Sequence, residues 1–258
     1  MPRLISTRKA QSGLNLVELM IGLAVGLVVL AAISTVYLNT ARGSRDTMNA
    51  NRLNQDLRAV MDIMVADIRR AGYWGTAASG ATNPFTVRGN PATDIYVTAG
   101  CVLYSYDATF NAAGTAGTPN ANVDYFGFRL NGGAVETATA FNNTNQACSN
   151  DLGWKSLTDS AVINVSALTF STASPGGGEP GSQCLNATTG ATWTALVTTQ
   201  AACADTTATG YVAPGASDNL AETRQITISM TANHVSDTTL ARTLTESVLV
   251  RNSRIITP

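Results

Sequence analysis

The stretch Gly13-Leu14-Asn15-Leu16-Val17-Glu18-Leu19-Met20-Ile21-Gly22-Leu23-Ala24-Val25-Gly26-Leu27-Val28-Val29-Leu30-Ala31-Ala32-Ile33-Ser34-Thr35-Val36-Tyr37-Leu38 decides how the rest of the chain is read. It carries one charged side chain, Glu18, and residues 19–41 carry none. About 20 apolar residues at about 1.5 Å each cover a bilayer core of about 30 Å, so the stretch has the length and composition of a membrane helix. Glu18 is the anomaly. A carboxylate in such a helix costs about 2.5–3.5 kcal/mol on insertion scales, and a residue kept at that cost ordinarily marks a function.

Arg3, Arg8 and Lys9 precede the run. The excess of positive charge on the cytoplasmic side of a span keeps these residues inside and sends the rest of the chain outward. Two cleavage sites compete. A secretory signal peptide would be cut after its apolar core, near Ala32-Ile33-Ser34. The other cut falls between Gly13 and Leu14 and leaves the helix on the mature protein. The apolar core of a signal peptide is about 7–15 residues long and has no use for a carboxylate, which favours the second site.

Helical spacing continues beyond the apolar run. Apolar residues fall at positions 53, 57, 60, 61, 64 and 68, with Arg52, Asp56, Arg58, Asp62, Asp67, Arg69 and Arg70 between them. No proline interrupts residues 14–71, and Gly72 supplies a C-terminal stop. The pattern predicts one helix of roughly 58 residues and about 87 Å, apolar all round in its first half and amphipathic in its second. The alternative is two helices broken at Arg42-Gly43-Ser44.

Beyond Gly72 the signals are those of short strands and turns. Residues 76–93 read as mostly loop, 101–106 and 125–130 as strands, and Asn131-Gly132-Gly133 as a hairpin turn into 134–139. Residues 161–170 alternate, with Val162, Asn164, Ser166 and Leu168 on one face and Ile163, Val165 and Ala167 on the other. Residues 174–181, rich in glycine and proline, are a loop. The stretch from Cys184 to Cys203 is rich in Thr and Ala and needs a cross-link to be ordered. Residues 225–232 and 244–251 alternate around a turn at 233–237 and form a C-terminal hairpin. The sheet is expected to pack on the helix around Leu57 to Ile68, giving an α+β fold.

At 258 residues with 13 % charged side chains, the chain suits one membrane element and one exported, loop-rich β domain. Without the three basic residues of the leader, 13 basic residues face 17 acidic ones, which argues against nucleic acid as a partner. The cysteines are Cys101, Cys148, Cys184 and Cys203, and an even number in an exported domain reads as two disulfides. Three pairings are open. In Cys101–Cys148 with Cys184–Cys203, each pair closes its own segment. The cysteines form no C-x-x-C pair and His234 is the single histidine, so zinc has poor support. No nucleophile elbow or H-E-x-x-H occurs, and neither an enzyme nor a cofactor nor a metal is expected.

Gly13-Leu14-Asn15-Leu16-Val17-Glu18-Leu19-Met20-Ile21 resembles the class III signal of type IV prepilins and type II secretion pseudopilins. Those families carry a glycine before the scissile bond and a glutamate at the fifth mature position, here Glu18. The resemblance implies that a membrane aspartyl prepilin peptidase cuts after Gly13 and methylates the Leu14 amine. Leu14 stands where phenylalanine is commoner, Asn15 where Thr or Ser is frequent, and Thr35 where many major pilins have proline. Residues 68–75, 125–130 and 246–252 resemble minor pilins of the PilW type and, more distantly, J-type pseudopilins of type II secretion.

A pilin-like fold is therefore implied, with a leader at 1–13, a long helix at 14–72 and a periplasmic head at 73–258. The implied role is that of a priming or tip-complex subunit promoting pilus assembly, with roles in twitching motility, adhesion or DNA uptake. Its implied partners are the prepilin peptidase, other minor pilins and the major pilin, the inner-membrane assembly platform, and inner-membrane lipid before transfer to the fibre. Glu18 is the assembly residue in this picture. Pairing it with the Leu14 amine of a neighbouring subunit would offset the cost of holding both charges in an apolar setting.

Overall fold

The computed structural model describes residues 13, 15–75, 83–89, 92–108, 119–120, 123–139, 148, 152–172, 182–194, 203 and 205–256. The chain divides into two units, Met1–Asn49 and Ala50–Pro258, and the division falls inside a single helix, α1 (Leu16–Ile68). There is no break at Arg42-Gly43-Ser44. The carbonyl of Asn15 accepts the Glu18 and Leu19 amides at 2.9 and 3.2 Å, which makes Asn15 the N-cap. At the other end the turn tightens. The Arg70 and Ala71 amides each reach back three residues, to the carbonyls of Asp67 and Ile68, and Gly72 then takes φ +73°.

Fourteen strands follow among the described residues: β1 (Arg88–Gly89), β2 (Ala92–Thr93), β3 (Ile95–Thr98), β4 (Cys101–Ser105), β5 (Tyr125–Asn131), β6 (Ala134–Thr139), β7 (Lys155–Ser156), β8 (Ile163–Ser171), β9 (Gln183–Asn186), β10 (Thr192–Thr194), β11 (Leu220–Thr223), β12 (Gln225–His234), β13 (Asp237–Leu249) and β14 (Arg254–Ile256). All pairing is antiparallel. The order is β3-β4-β5-β6-β7 in a meander, β13-β12-β8 in a second sheet, β10-β9-β11-β14 in a third, and β1-β2 as a pair. The loop expected at 174–181 lies outside the described residues.

In the second unit, helix residues Leu53, Leu57, Val60, Met61, Met64 and Ile68 share one core with Val102, Tyr104 and Phe128 of the meander and with Phe170, Ile226, Ile228, Met230 and Val248 of the second sheet. These six helix positions are the apolar series expected from spacing. The opposite side of the meander closes a smaller core around Val87, Cys101, Leu103, Tyr125 and Leu152. A third core, built on Cys184, Cys203, Trp193 and Leu220, belongs to the third sheet.

The structure corrects the sequence reading in three places. Residues 161–170 do not alternate cleanly. Thr231 pairs with Ala167 and the next residue, Ala232, with Val165, so Ser166 is the extra residue of a bulge. The bulge resets the phase: Ile163 and Val165 before it, and Leu168 and Phe170 after it, are all buried. Leu168 thus shares the core face with Val165 rather than with Asn164. Secondly, strands that were not expected form here: β9 and β10 in and at the edge of the stretch read as weakly ordered without a cross-link, and β11 and β14 flanking the C-terminal hairpin. A third, smaller difference is the length of β13, which starts at Asp237 instead of 244.

Candidate functional site

The helix N-terminus carries the expected processing and assembly residues. Gly13 is exposed and precedes the N-cap, and Leu14 lies outside the described residues. Glu18 is the third residue of α1, exposed, and the one acidic side chain of its first turn. A carboxylate there meets the partial positive charge of the unpaired amides at a helix N-terminus, so Glu18 has a local electrostatic reason for its place. A Cβ built on Gly22 or Gly26 meets nothing within 4 Å, which leaves this face of the helix open.

Every residue of α1 from Leu16 to Leu38 is exposed, including Leu16 at 73 % and Tyr37 at 71 %. The helix is apolar all round here, and none of its most apolar stretch is buried. A helix with no polar face and no protein cover has the character of a membrane span. This half of α1 suggests a membrane anchor.

The second cluster surrounds the C-terminus of α1, where the last carbonyls of a helix lack partners of their own. Here the tertiary fold supplies them. Arg69 O accepts the Arg251 amide at 3.1 Å. Asn252 Nδ2 donates to Arg70 O and Ala71 O at 3.3 and 3.1 Å. Asn83 Nδ2 donates to Gly72 O at 3.1 Å, and the Gly72 amide donates to Ser105 O at 2.8 Å. The motifs 68–75 and 246–252 therefore meet in space. The third, 125–130, joins them through Phe126, whose ring stacks on Tyr106 at 4.4 Å, while the Arg70 guanidinium lies 4.8 Å from the centre of the same Tyr106 ring.

Charged side chains hold this junction. Asp67 accepts from Arg70, from Tyr104 Oη at 2.8 Å and from Tyr106 Oη at 3.4 Å. Burial pushes the Tyr104 phenol well above its ordinary value, and the Asp67 carboxylate pushes it further. Behind Gly72 lies a buried ion pair between Arg224 and Asp94, and Arg224 also donates to Asn252 O. Burial raises the Glu222 carboxyl, with Arg224 and Arg254 acting against that shift. Apart from Asp67 and Arg70, which the sequence reading placed among the polar residues of the helix, none of these charges had a signal there, because their partners lie far away in the chain.

The disulfides are Cys101–Cys148 and Cys184–Cys203, the pairing in which each bond closes its own segment. Arg129 supports the first by donating to Cys148 O at 3.1 Å and to Glu136 Oε2 at 2.7 Å. Glu222 supports the second, since it sits opposite Cys184 and its Oε1 accepts the Cys203 amide at 3.4 Å. Among the described residues no group of three or more His, Cys, Asp or Glu side chains is placed to hold a metal. His234 sits beside the β12–β13 turn, where its Nδ1 accepts the Ser236 amide at 3.2 Å.

Residues 46–250 match the family model of prepilin peptidase-dependent protein B. Neither the curated proteins nor the solved structures contain a match. The match covers the amphipathic half of α1 and nearly all of the head, and it is independent of the signal at Gly13 to Ile21, which lies outside it. A head matched on its own merits thus follows an apolar, uncovered helix that opens on a glycine and a spaced glutamate, and the chain belongs to the prepilin peptidase-dependent protein B family.

Proposed function

We propose that the chain is a prepilin that becomes a minor subunit of a type IV pilus, of the PilW kind, and that it acts as an assembly part and not as an enzyme. The prepilin peptidase cuts between Gly13 and Leu14 and methylates the new amine. The apolar half of α1 holds the subunit in the inner membrane with the head in the periplasm. It then leaves the lipid for the helical core of the fibre, where the same apolar surface packs against other subunits. Glu18 pairs with the Leu14 amine of a neighbour and sets the axial register. With other minor pilins and the assembly platform the subunit prims a fibre of major pilin and stays at its tip, supporting twitching motility, adhesion or DNA uptake.

The observation that carries this reading is the continuity of α1. One helix is uncovered and apolar from Leu16 to Leu38 and then becomes a buried core element of the head from Leu53 to Ile68. A subunit that stacks by its helix uses one element for both tasks, whereas an anchor alone would need no share in the head's core. Mass determination of the mature N-terminus tests the processing step, with a methylated chain beginning at Leu14 expected. Glu18→Ala is expected to be cleaved normally and to be absent from sheared fibres. Normal piliation with the variant present in those fibres would sink the assembly role.

A J-type pseudopilin of type II secretion shares the same signal and the same helix logic, and residues 68–75, 125–130 and 246–252 resemble that group as well. Deleting the gene separates the two. Lost twitching with intact secretion supports the pilus subunit, and the reverse supports the pseudopilin.

A further inference from the structure

Among the described residues the buried carboxylates of the head are paired, with one exception. Asp94 holds Arg224. Asp124 accepts the Ala108 amide at 3.0 Å and the Asn120 amide at 2.7 Å. Asp205 accepts the Thr207 amide and hydroxyl at 3.0 and 2.6 Å. Glu222 leaves one oxygen free, but its other oxygen accepts the Cys203 amide, and Arg224 and Arg254 lie within electrostatic reach. Asp107 differs from all of these. It is 3 % exposed, and both of its carboxylate oxygens are buried with no hydrogen-bond partner. Among the described residues no ion pair reaches it.

A second orphan lies beside it in the chain. The hydroxyl of Ser105, a fully buried residue, also lacks a partner. Tyr104 and Tyr106 both turn toward the helix and reach Asp67. The Tyr106 amide bonds to Asp124 O at 3.1 Å, so the ladder between β4 and β5 continues past the end of β4. Alternation along extended backbone then puts Ser105 and Asp107 together on the side away from the helix. The Asp107 amide is bonded to Tyr73 O at 2.8 Å, which fixes the backbone that presents the carboxylate.

An ionised carboxylate buried without a partner costs several kcal/mol or more, and folded proteins avoid the state. Protonation removes the charge but leaves two oxygens and the Ser105 hydroxyl without hydrogen bonds. A cation satisfies all three at once. The donors are hard oxygens, with no sulfur or imidazole among them, which selects the calcium and magnesium class over zinc or copper. Calcium accepts irregular oxygen geometry and bidentate carboxylates, whereas magnesium demands a regular octahedron and keeps its waters, which a buried site disfavours. We propose that Asp107, with Ser105, binds a calcium ion on the side of β4 away from the helix, with neutral oxygens completing its shell. The ion fixes the base of the β4–β5 connection against the turn at Tyr73, just past the helix C-terminus.

The test uses the full-length protein in detergent, with calcium chloride, magnesium chloride or a chelator. Wild type is expected to retain one calcium per chain in equilibrium dialysis and to unfold about 3–6 °C higher in saturating calcium than in chelator, with magnesium much less effective. Asp107→Asn, which keeps the shape and removes the charge, is expected to lose both the bound calcium and the shift. Ser105→Ala is expected to weaken calcium binding several-fold. If Asp107→Asn does not fold, Ser105→Ala decides, and an unchanged affinity in that variant overturns the site. Equal unfolding temperatures of the wild type in calcium and in chelator overturn it too, as does an equal calcium response in wild type and Asp107→Asn.

Discussion

Tyr104 donates its phenolic hydroxyl to Asp67 Oδ2 at 2.8 Å, tying the middle of β4 to the last turn of α1. The two residues are 37 positions apart, and their bond joins the helix to the meander at the point where the helix ends. Tyr104→Phe keeps the ring and its stacking and removes only the donor. A hydrogen bond to a charged group is worth about 1.5–3 kcal/mol, so the variant is expected to unfold about 3–6 °C lower. Thermal unfolding by circular dichroism measures this, and an unchanged midpoint would mean that Arg70 and Tyr106 satisfy Asp67 without it.

Gly72 is required on two counts. Its φ of +73° disfavours any side chain, and a Cβ at this position would lie 1.9 Å from Asp94 Oδ2 and 2.9 Å from Arg224 Nη2. Gly72→Ala must therefore displace a buried ion pair. Breaking such a pair costs about 3–5 kcal/mol, enough to leave much of the protein unfolded or degraded. The expected outcome is a protein that is soluble only in trace amounts, whereas Gly100→Ala, which meets nothing within 4 Å, is expected to behave as wild type.

The disulfides are expected to contribute unequally. Cys101–Cys148 spans 47 residues and Cys184–Cys203 spans 19. In the loop-entropy model these separations correspond to about 4 and about 3 kcal/mol. The Cys101→Ser, Cys148→Ser pair of substitutions should lower the unfolding temperature more than the Cys184→Ser, Cys203→Ser pair. Differential scanning calorimetry of both double variants under oxidising conditions compares them directly, and equal losses would show that the entropy of loop closure does not set the order.

Glu222 makes stability depend on pH in a direction opposite to most carboxylates. Burial raises its folded pKa above the unfolded value, so the folded state holds the proton more tightly. Its contribution is therefore favourable at low pH and is lost as pH rises from the ordinary glutamate range through the raised folded value. Glu222→Gln imitates the protonated form and retains an oxygen for the Cys203 amide. The gap in unfolding temperature between variant and wild type is expected to widen in favour of Gln as pH rises from the ordinary glutamate range through the raised folded value. A gap that is constant across that range would show that Glu222 titrates alike in both states.

Much of the architecture could be read from local pattern. The apolar series from Leu53 to Ile68 has helical spacing, and the structure buries that series. Tyr125 to Leu130, the Asn131-Gly132-Gly133 turn and the C-terminal hairpin show strand alternation bounded by turn residues, and they form β5, β6, β12 and β13. The bulge at Ser166 was hidden because alternation shows a face but not the point at which an extra residue resets it. The third sheet was hidden because Thr and Ala at 184–203 carry little strand signal, and its order comes from Trp193, the disulfide and the pairing with β11.

The junction at the helix C-terminus shows where the division lies. Gly13, Leu14, Glu18 and the uncharged run behind them are a local message, and the sequence by itself determined a membrane-type helix and its glycine stop, although the α-helix ends at Ile68, four residues before that glycine. That information sits within consecutive residues, because periodicity and charge placement need no distant partner. Which groups receive the last carbonyls of the helix was decided only by the tertiary structure. Asn252 reaches Ala71 across 181 positions, and Arg224 reaches Asp94 across 130. A polar side chain at position 252 looks like any other polar residue until the fold buries an unpaired carbonyl beside it and makes a donor there necessary.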